Sequence, residues 1–152
     1  MTTKLTWDDL LIQRFPKEKI SSWLGVWSNS VNGRVAPIAM SKFGDWFLRH
    51  EDGSTYELSV LEGTYEKIAS SQDEFETLMN QQTWQEQHLL SLFVFSLHER
   101  GIIAKEGQCY ALMPHPLFTG KIELDQVVLM EIGVWQHICA QTIYGPMEST
   151  GE

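Results

Sequence analysis

The sequence is poor in the features that announce chemistry. It has two cysteines, Cys109 and Cys139, with neither CxxC spacing nor a third partner, so they read as buried free thiols and exclude a disulfide framework or a thiolate metal site. No GxGxxG or GxxxxGK[ST] loop is present to cradle a phosphate, no GxSxG elbow to present a serine, and no HExxH to hold a catalytic zinc. Among the five histidines, His88 and His98 fall on one expected helix ten residues apart. At 100° per residue they stand about 80° from a common line, which is not the spacing of a helical metal pair. No stretch approaches the 18 apolar residues of a membrane span, and Met1 to Asp9 has no apolar run of the kind a signal peptide needs. The expectation is a cytoplasmic protein without cofactor or metal.

Positive charge is also scarce. Lysine and arginine number 11 against 20 acids, a net charge of −9, and between Lys42 and Arg100 eleven acids face four bases. A field of this sign repels nucleic acid and attracts basic proteins or cations. The acids Asp45, Glu51, Asp52, Glu57, Glu62, Glu66, Asp73, Glu74 and Glu76 are therefore the candidate partner-binding residues, set against the plainer reading that they keep the surface solvated.

What the sequence does have is aromatic residues, with six Trp, seven Phe and four Tyr in 152 residues, enough for a self-sufficient core. The clearest pattern lies between Phe43 and Tyr65. Glycines at 44, 53 and 63 separate short runs rich in aromatic and β-branched residues, the spacing of an antiparallel meander. It predicts strands over Arg34–Lys42, Trp46–His50, Thr55–Leu61 and Thr64–Ala69, with Asp52-Gly53 as a two-residue type I′ turn. Pro37 places the first strand at an edge or a bulge.

Helices flank the meander. Thr6 can cap a first helix that puts Trp7, Leu10, Leu11 and Phe15 on one face, and Ile20, Trp23, Leu24 and Trp27 repeat the pattern in a second. Ser71-Gln72-Asp73-Glu74 is a capping box that starts a third helix, burying Phe75, Leu78 and Met79. Thr83-Trp84-Gln85-Glu86 repeats the device, so a separate fourth helix is expected over about 84–100, apolar nearly all round and central to the core. Strands follow at Gln108–Met113 and Ile122–Leu129. A final helix over about 131–143 turns Ile132, Trp135, Ile138, Cys139 and Thr142 inward, with His137 half-buried.

The whole reads as one α+β domain over 1–145, with helices over 1–33, the meander over 34–70, two helices over 71–100, two strands over 107–130 and a C-terminal helix over 131–144. The sheet is mostly antiparallel, of five or six strands, and a loose tail over 146–152 ends the chain. His115, held between two prolines, is expected in an exposed loop. An alternative to partner binding is a small-ligand or enzymatic pocket near Trp46, His50 and His115, the nearest approach to convergent polar groups.

Several local patterns, in their order, resemble a known family. Phe43-Gly44-Asp45-Trp46-Phe47-Leu48 resembles the FGD-aromatic strand-turn-strand of the C-terminal domain of type VI secretion immunity proteins, akin in outline to the SUKH (Smi/Knr-like) immunity superfamily. The likeness continues through Asp52-Gly53, the helix start Ser71 to Phe75, Cys109-Tyr110-Ala111-Leu112-Met113-Pro114 followed by Gly120, and the apolar helix Glu131 to Ile143. It departs at His115-Pro116, where a small-residue loop would be usual, and in the lone Gly120. The resemblance implies a non-catalytic protein, a monomer or weak homodimer. It would bind a cognate secreted toxin with a basic surface, often a nuclease, and would bind neither nucleic acid nor membrane. A third reading is a general protein-interaction scaffold.

Overall fold

The computed structural model of the chain describes residues 5–31 and 33–145. Its centre is a five-stranded antiparallel sheet in which every strand pairs with its neighbours in sequence: β1 (Leu11–Ile12), β2 (Val35–Ser41), β3 (Trp46–His50), β4 (Thr55–Leu58) and β5 (Tyr65–Ala69). Two further strands, β6 (Gln108–Leu112) and β7 (Val127–Glu131), make a separate antiparallel ribbon. The helices are α1 (Trp7–Leu10), α2 (Lys17–Gly25), α3 (Gln72–Met79), α4 (Gln82–Leu89), α5 (Ser91–Glu99), α6 (Pro116–Thr119) and α7 (Ile132–Tyr144), with a 3₁₀ turn at Leu124–Gln126. The fold is thus the expected α+β meander with helices packed on it.

The core gathers Trp27, Met40, Phe43, Trp46, Phe47, Leu48, Tyr110 and Trp135, all essentially inaccessible. Pro37 sits where β2 slips register against β3, at a bulge between Pro37 and Ala39, because a residue without an N–H cannot complete the ladder. Cys109 and Cys139 are buried free thiols, as read, and burial pushes the Cys109 thiol up to about 12.

The structure corrects six local expectations. The first helix stops at Leu10, and Leu11–Ile12 pairs with Met40 and Ser41 instead, so Phe15 reaches the core by stacking on Trp46 at 5.6 Å rather than from a helical face. The hairpin at Asp52-Gly53 is longer than two residues. His50 and Ser54 pair, Gly53 alone takes a positive φ of 88°, and Asp52 Oδ1 accepts from the Ser54 amide at 3.0 Å, an Asx turn in place of type I′. Strand β4 ends at Leu58, because a wider turn begins where the Ser59 amide donates to Thr64 O.

The expected central helix over 84–100 is broken at Leu90, which adopts the left-handed region (φ 54°, ψ 50°) and divides α4 from α5; their buried residues are Trp84, Leu89, Val94 and Leu97, while Leu92 is exposed. A continuous rod apolar all round would need cover on every side, and the break lets each short helix bury one face. The last strand begins at Val127, since Glu123 and Gln126 close a capping box around the 3₁₀ turn over residues read as strand. α3 and α4 are separate as expected; Ser71 caps α3, its Oγ accepting from the Glu74 amide at 3.1 Å, whereas α4 begins after Gln81, which gives no side-chain cap, and not after Thr83. The tail over 146–152 lies outside the described residues.

Candidate functional site

The site is built from the turn at Gly44-Asp45. Gly44 takes φ 98°, and a Cβ there would stand 3.0 Å from Gln136 Nε2 and from Trp135 Cδ1, so only glycine lets the turn approach α7 this closely. Behind it lies a buried polar hub. Gln136 Oε1 accepts from the indoles of Trp27 (2.6 Å) and Trp46 (2.9 Å), and its Nε2 donates to Gly44 O at 2.9 Å. The Trp135 indole donates to Phe43 O at 2.8 Å. Every polar atom of the Gln136 amide group is thus engaged, which makes its burial affordable and fixes the turn against α7.

From the same turn Asp45 reaches the segment that joins β4 to β5. It is 7% exposed, and its Oδ1 accepts from the Val60 amide at 2.7 Å. Burial, and after it the Glu57 carboxylate, push its carboxyl up to about 8, against the pull of the Val60 and Leu61 amides. The Val60 carbonyl is held from the opposite side by His115, whose Nε2 donates at 2.9 Å while Nδ1 accepts from the Leu117 amide at 3.1 Å. His115 is therefore buried, not the exposed loop residue expected. Packed beside Trp135, it uses both ring nitrogens, and burial holds its pKa below the usual imidazole value.

These two groups load the protein's stability with opposite pH slopes. A raised carboxyl means that folding favours protonated Asp45; that contribution is whole below 3.8 and is lost as pH rises through about 8. A depressed imidazole favours neutral His115, a contribution present above 6.5 and lost as pH falls below it. Asp45→Asn keeps an acceptor for Val60 without titrating. We expect the variant's Tm to fall less steeply than the parent's between about pH 4 and pH 8; parallel profiles would show that Asp45 does not titrate in that window.

Beyond Asp45 opens a groove of about 390 Å³, walled by β4 and β5 with their turn, by the end of α4, and by the 116–122 segment. Four of the nine acids singled out from the sequence line it: Asp45, Glu57, Glu62 and Glu66. Glu57 and Glu66 are directly opposite each other in the β4–β5 ladder, a like-charge pair that costs the sheet stability. Glu57 is relieved by His88, whose Nδ1 lies 2.6 Å from its Oε1 and whose ring stacks on Trp84 at 4.7 Å. Glu62 and Glu66 are exposed at the edge, and Lys121 lines the same groove but pairs with Glu123 at 3.4 Å. Leu90, in its strained left-handed conformation, forms part of the wall.

The remaining candidates lie elsewhere. Glu51 and Asp52 are exposed at the β3–β4 hairpin, and Asp73, Glu74 and Glu76 are exposed on α3, with Glu74 accepting from the Ser70 amide. Trp46, His50 and His115 do not form a pocket: Trp46 is fully buried in the hub, His50 bonds the Tyr65 hydroxyl at the far end of β3, and none of the three lines the groove. His137 is exposed, not half-buried. Among the described residues no three His, Cys, Asp or Glu side chains gather as metal ligands, and no helix is long and apolar enough to cross a membrane.

Sequence reasoning missed Gln136, the His88–Glu57 pair and the apolar surface next to the groove, where Leu117 is 50% and Phe118 75% exposed. A signal for Gln136 existed: it falls on the inward stripe at i+4 from Ile132, a polar residue among apolar ones in a chain with six indoles to satisfy. The pairing of His88 with Glu57 needs the tertiary fold and leaves no local trace.

No protein-family model matches the chain, and no curated protein matches it. Among solved structures it is similar to the crystal structure of Atu4351 from Agrobacterium tumefaciens, with a TM-score of 0.56 at 14% identity over 88% of this chain and 67% of that one. That likeness is one of fold.

Proposed function

We propose that the protein works by binding a protein partner, whose basic segment enters the acidic groove while Leu117 and Phe118 supply the apolar anchor next to it. The reading rests on one observation: the meander brings Glu57, Glu62 and Glu66 to a single groove around the buried Asp45, with Glu62 and Glu66 exposed at its edge and, among the described residues, paired with no basic side chain. An exposed aromatic beside a charged cleft is the arrangement from which interfaces draw their energy, the charges steering encounter and the aromatic burying area. Taken with the resemblance to type VI secretion immunity domains, the partner is a secreted bacterial toxin with a basic active site, and the protein is its cytoplasmic, non-catalytic antidote.

The test is to purify the protein with the toxic domain encoded by the adjacent reading frame and to measure binding by surface plasmon resonance at several salt concentrations. Tight association that weakens with salt is expected. The double variant Glu62→Lys with Glu66→Lys should lose at least tenfold in affinity, chiefly in association rate, and Phe118→Ala should cost about 2 kcal/mol, chiefly in dissociation rate. Unchanged rates in both variants would overturn the proposal.

A further inference from the structure

A second groove lies where β1, the turn after β2, α2 and the start of α7 meet. We propose that it binds a phosphoryl group, free or on a small ester, through Lys42, Lys105, the indole N–H of Trp23 and the first turn of α7. This site is separate from the acidic groove and does not depend on what that groove binds.

The groove encloses about 740 Å³, within the range of small-molecule sites. Four of the chain's 11 basic residues line it: Arg14, Lys19, Lys42 and Lys105. In a protein of net charge −9 such a gathering runs against the overall field, and among the described residues none of the four is paired with a carboxylate. Lys42 is the half-buried member. Burial holds its ammonium below the usual lysine range, although Asp9 and Asp8 favour the charge, so a bound anion would supply what the site withholds.

Neutral donors stand beside these cations. Trp23, 6% exposed, lines the groove, and its Nε1–H has no acceptor among the described residues. The indole edge is packed on Gly133, so close that a Cβ there would lie 2.7 Å from Nε1; this sets the N–H at the first turn of α7. That helix runs 13 residues from Ile132, which itself lines the groove, and Glu131 at its N-cap provides no side-chain hydrogen bond. The Ile132 amide is taken by Gly107 O at 3.0 Å, so the donors the turn can offer an anion are the next amides, those of Gly133 and Val134, together with the positive end of the dipole.

Asp8, Glu106 and Glu131 also line the groove, and all three are exposed, where water screens them. Against that opposition a monovalent ion gains little. A phosphoryl group carries two negative charges and several acceptor oxygens, which donors arriving from α7, Trp23, Lys42 and Lys105 can meet from different sides. The space left over admits an organic body against Ile12 and Pro16.

The experiment is a ¹⁵N NMR titration of the full chain with inorganic phosphate, phenyl phosphate and, at matched ionic strength, sodium chloride, following the Trp23 indole and the amides of Gly133 and Val134. Saturable shifts with the phosphates and none with chloride are expected, and Lys42→Met should weaken phosphate binding at least tenfold. Tighter binding of phenyl phosphate would assign the natural ligand to the esters, and equal binding to the free anion. If Lys42→Met does not fold, Lys19→Ala with Lys105→Ala, both exposed positions, should weaken binding at least threefold. Chloride shifts equal to those of phosphate, or full affinity in the folded variants, would overturn the assignment.

Discussion

Replacing Gln136 by Leu should be the most damaging single change in the interior, lowering stability by about 4 kcal/mol. The side chain is fully buried, and its removal strands two indole donors, those of Trp27 and Trp46, and one carbonyl, Gly44 O. Each buried polar group left without a partner costs on the order of 1–3 kcal/mol, far more than the net gain of an ordinary hydrogen bond. Leucine restores apolar volume but no acceptor, so improved packing cannot offset the loss. Denaturant unfolding of the two proteins, followed by tryptophan fluorescence, measures the difference in midpoint. A loss under 1 kcal/mol would mean that water replaces the amide, and that the hub is not the lock described.

The second large effect is expected from Gly44→Ala, at about 3 kcal/mol. One part is conformational, since a φ of 98° is one that a residue with a Cβ resists. The other is steric. The new methyl would stand 3.0 Å from both Gln136 Nε2 and Trp135 Cδ1, and neither can withdraw, because Gln136 is tied by three hydrogen bonds and the Trp135 indole by one. The two substitutions strike one network, so their costs should not add. In the double variant, Gly44→Ala should cost at least 1 kcal/mol less than it does alone, because leucine no longer holds the turn against α7. Strict additivity in the double-mutant cycle would separate the turn from the hub.

How much of this was legible depends on the distance over which each feature is encoded. The meander could be read because its signals are local: glycines between aromatic runs, and a strand period of two through Tyr56 and Leu58. The Ser71 cap was equally local, although Glu74 closes on the Ser70 amide and not on that of Ser71. The break at Leu90 was not, because nothing in Leu89-Leu90-Ser91 favours a left-handed residue; it is imposed by the need of two apolar faces to find different neighbours. Strand β1 was invisible for a similar reason, as Leu11-Ile12 is too short to show a period and pairs only because β2 offers a free edge. At the candidate site the charge could be read but not its arrangement. Nine acids were nameable, and the register of β4 with β5 decides that Glu57 and Glu66 face one groove while Glu51 and Asp73 stand on other surfaces. His115 was misplaced because its flanking prolines argue for a loop and say nothing about whether that loop is buried.

The order of the five strands also governs how the molecule assembles. From β2 to β5 each strand of the meander pairs with the next along the chain over a short loop, so these ladders cost little chain entropy, whereas β1 reaches β2 across α2. The hub instead joins α7 to residues 90 to 109 positions earlier. Such distant contacts repay their closure only once the sheet exists to receive them. The sheet is therefore expected to form first and α7 to dock on it afterwards, so that the acidic groove, whose wall at Asp45 adjoins the docked turn, is completed last.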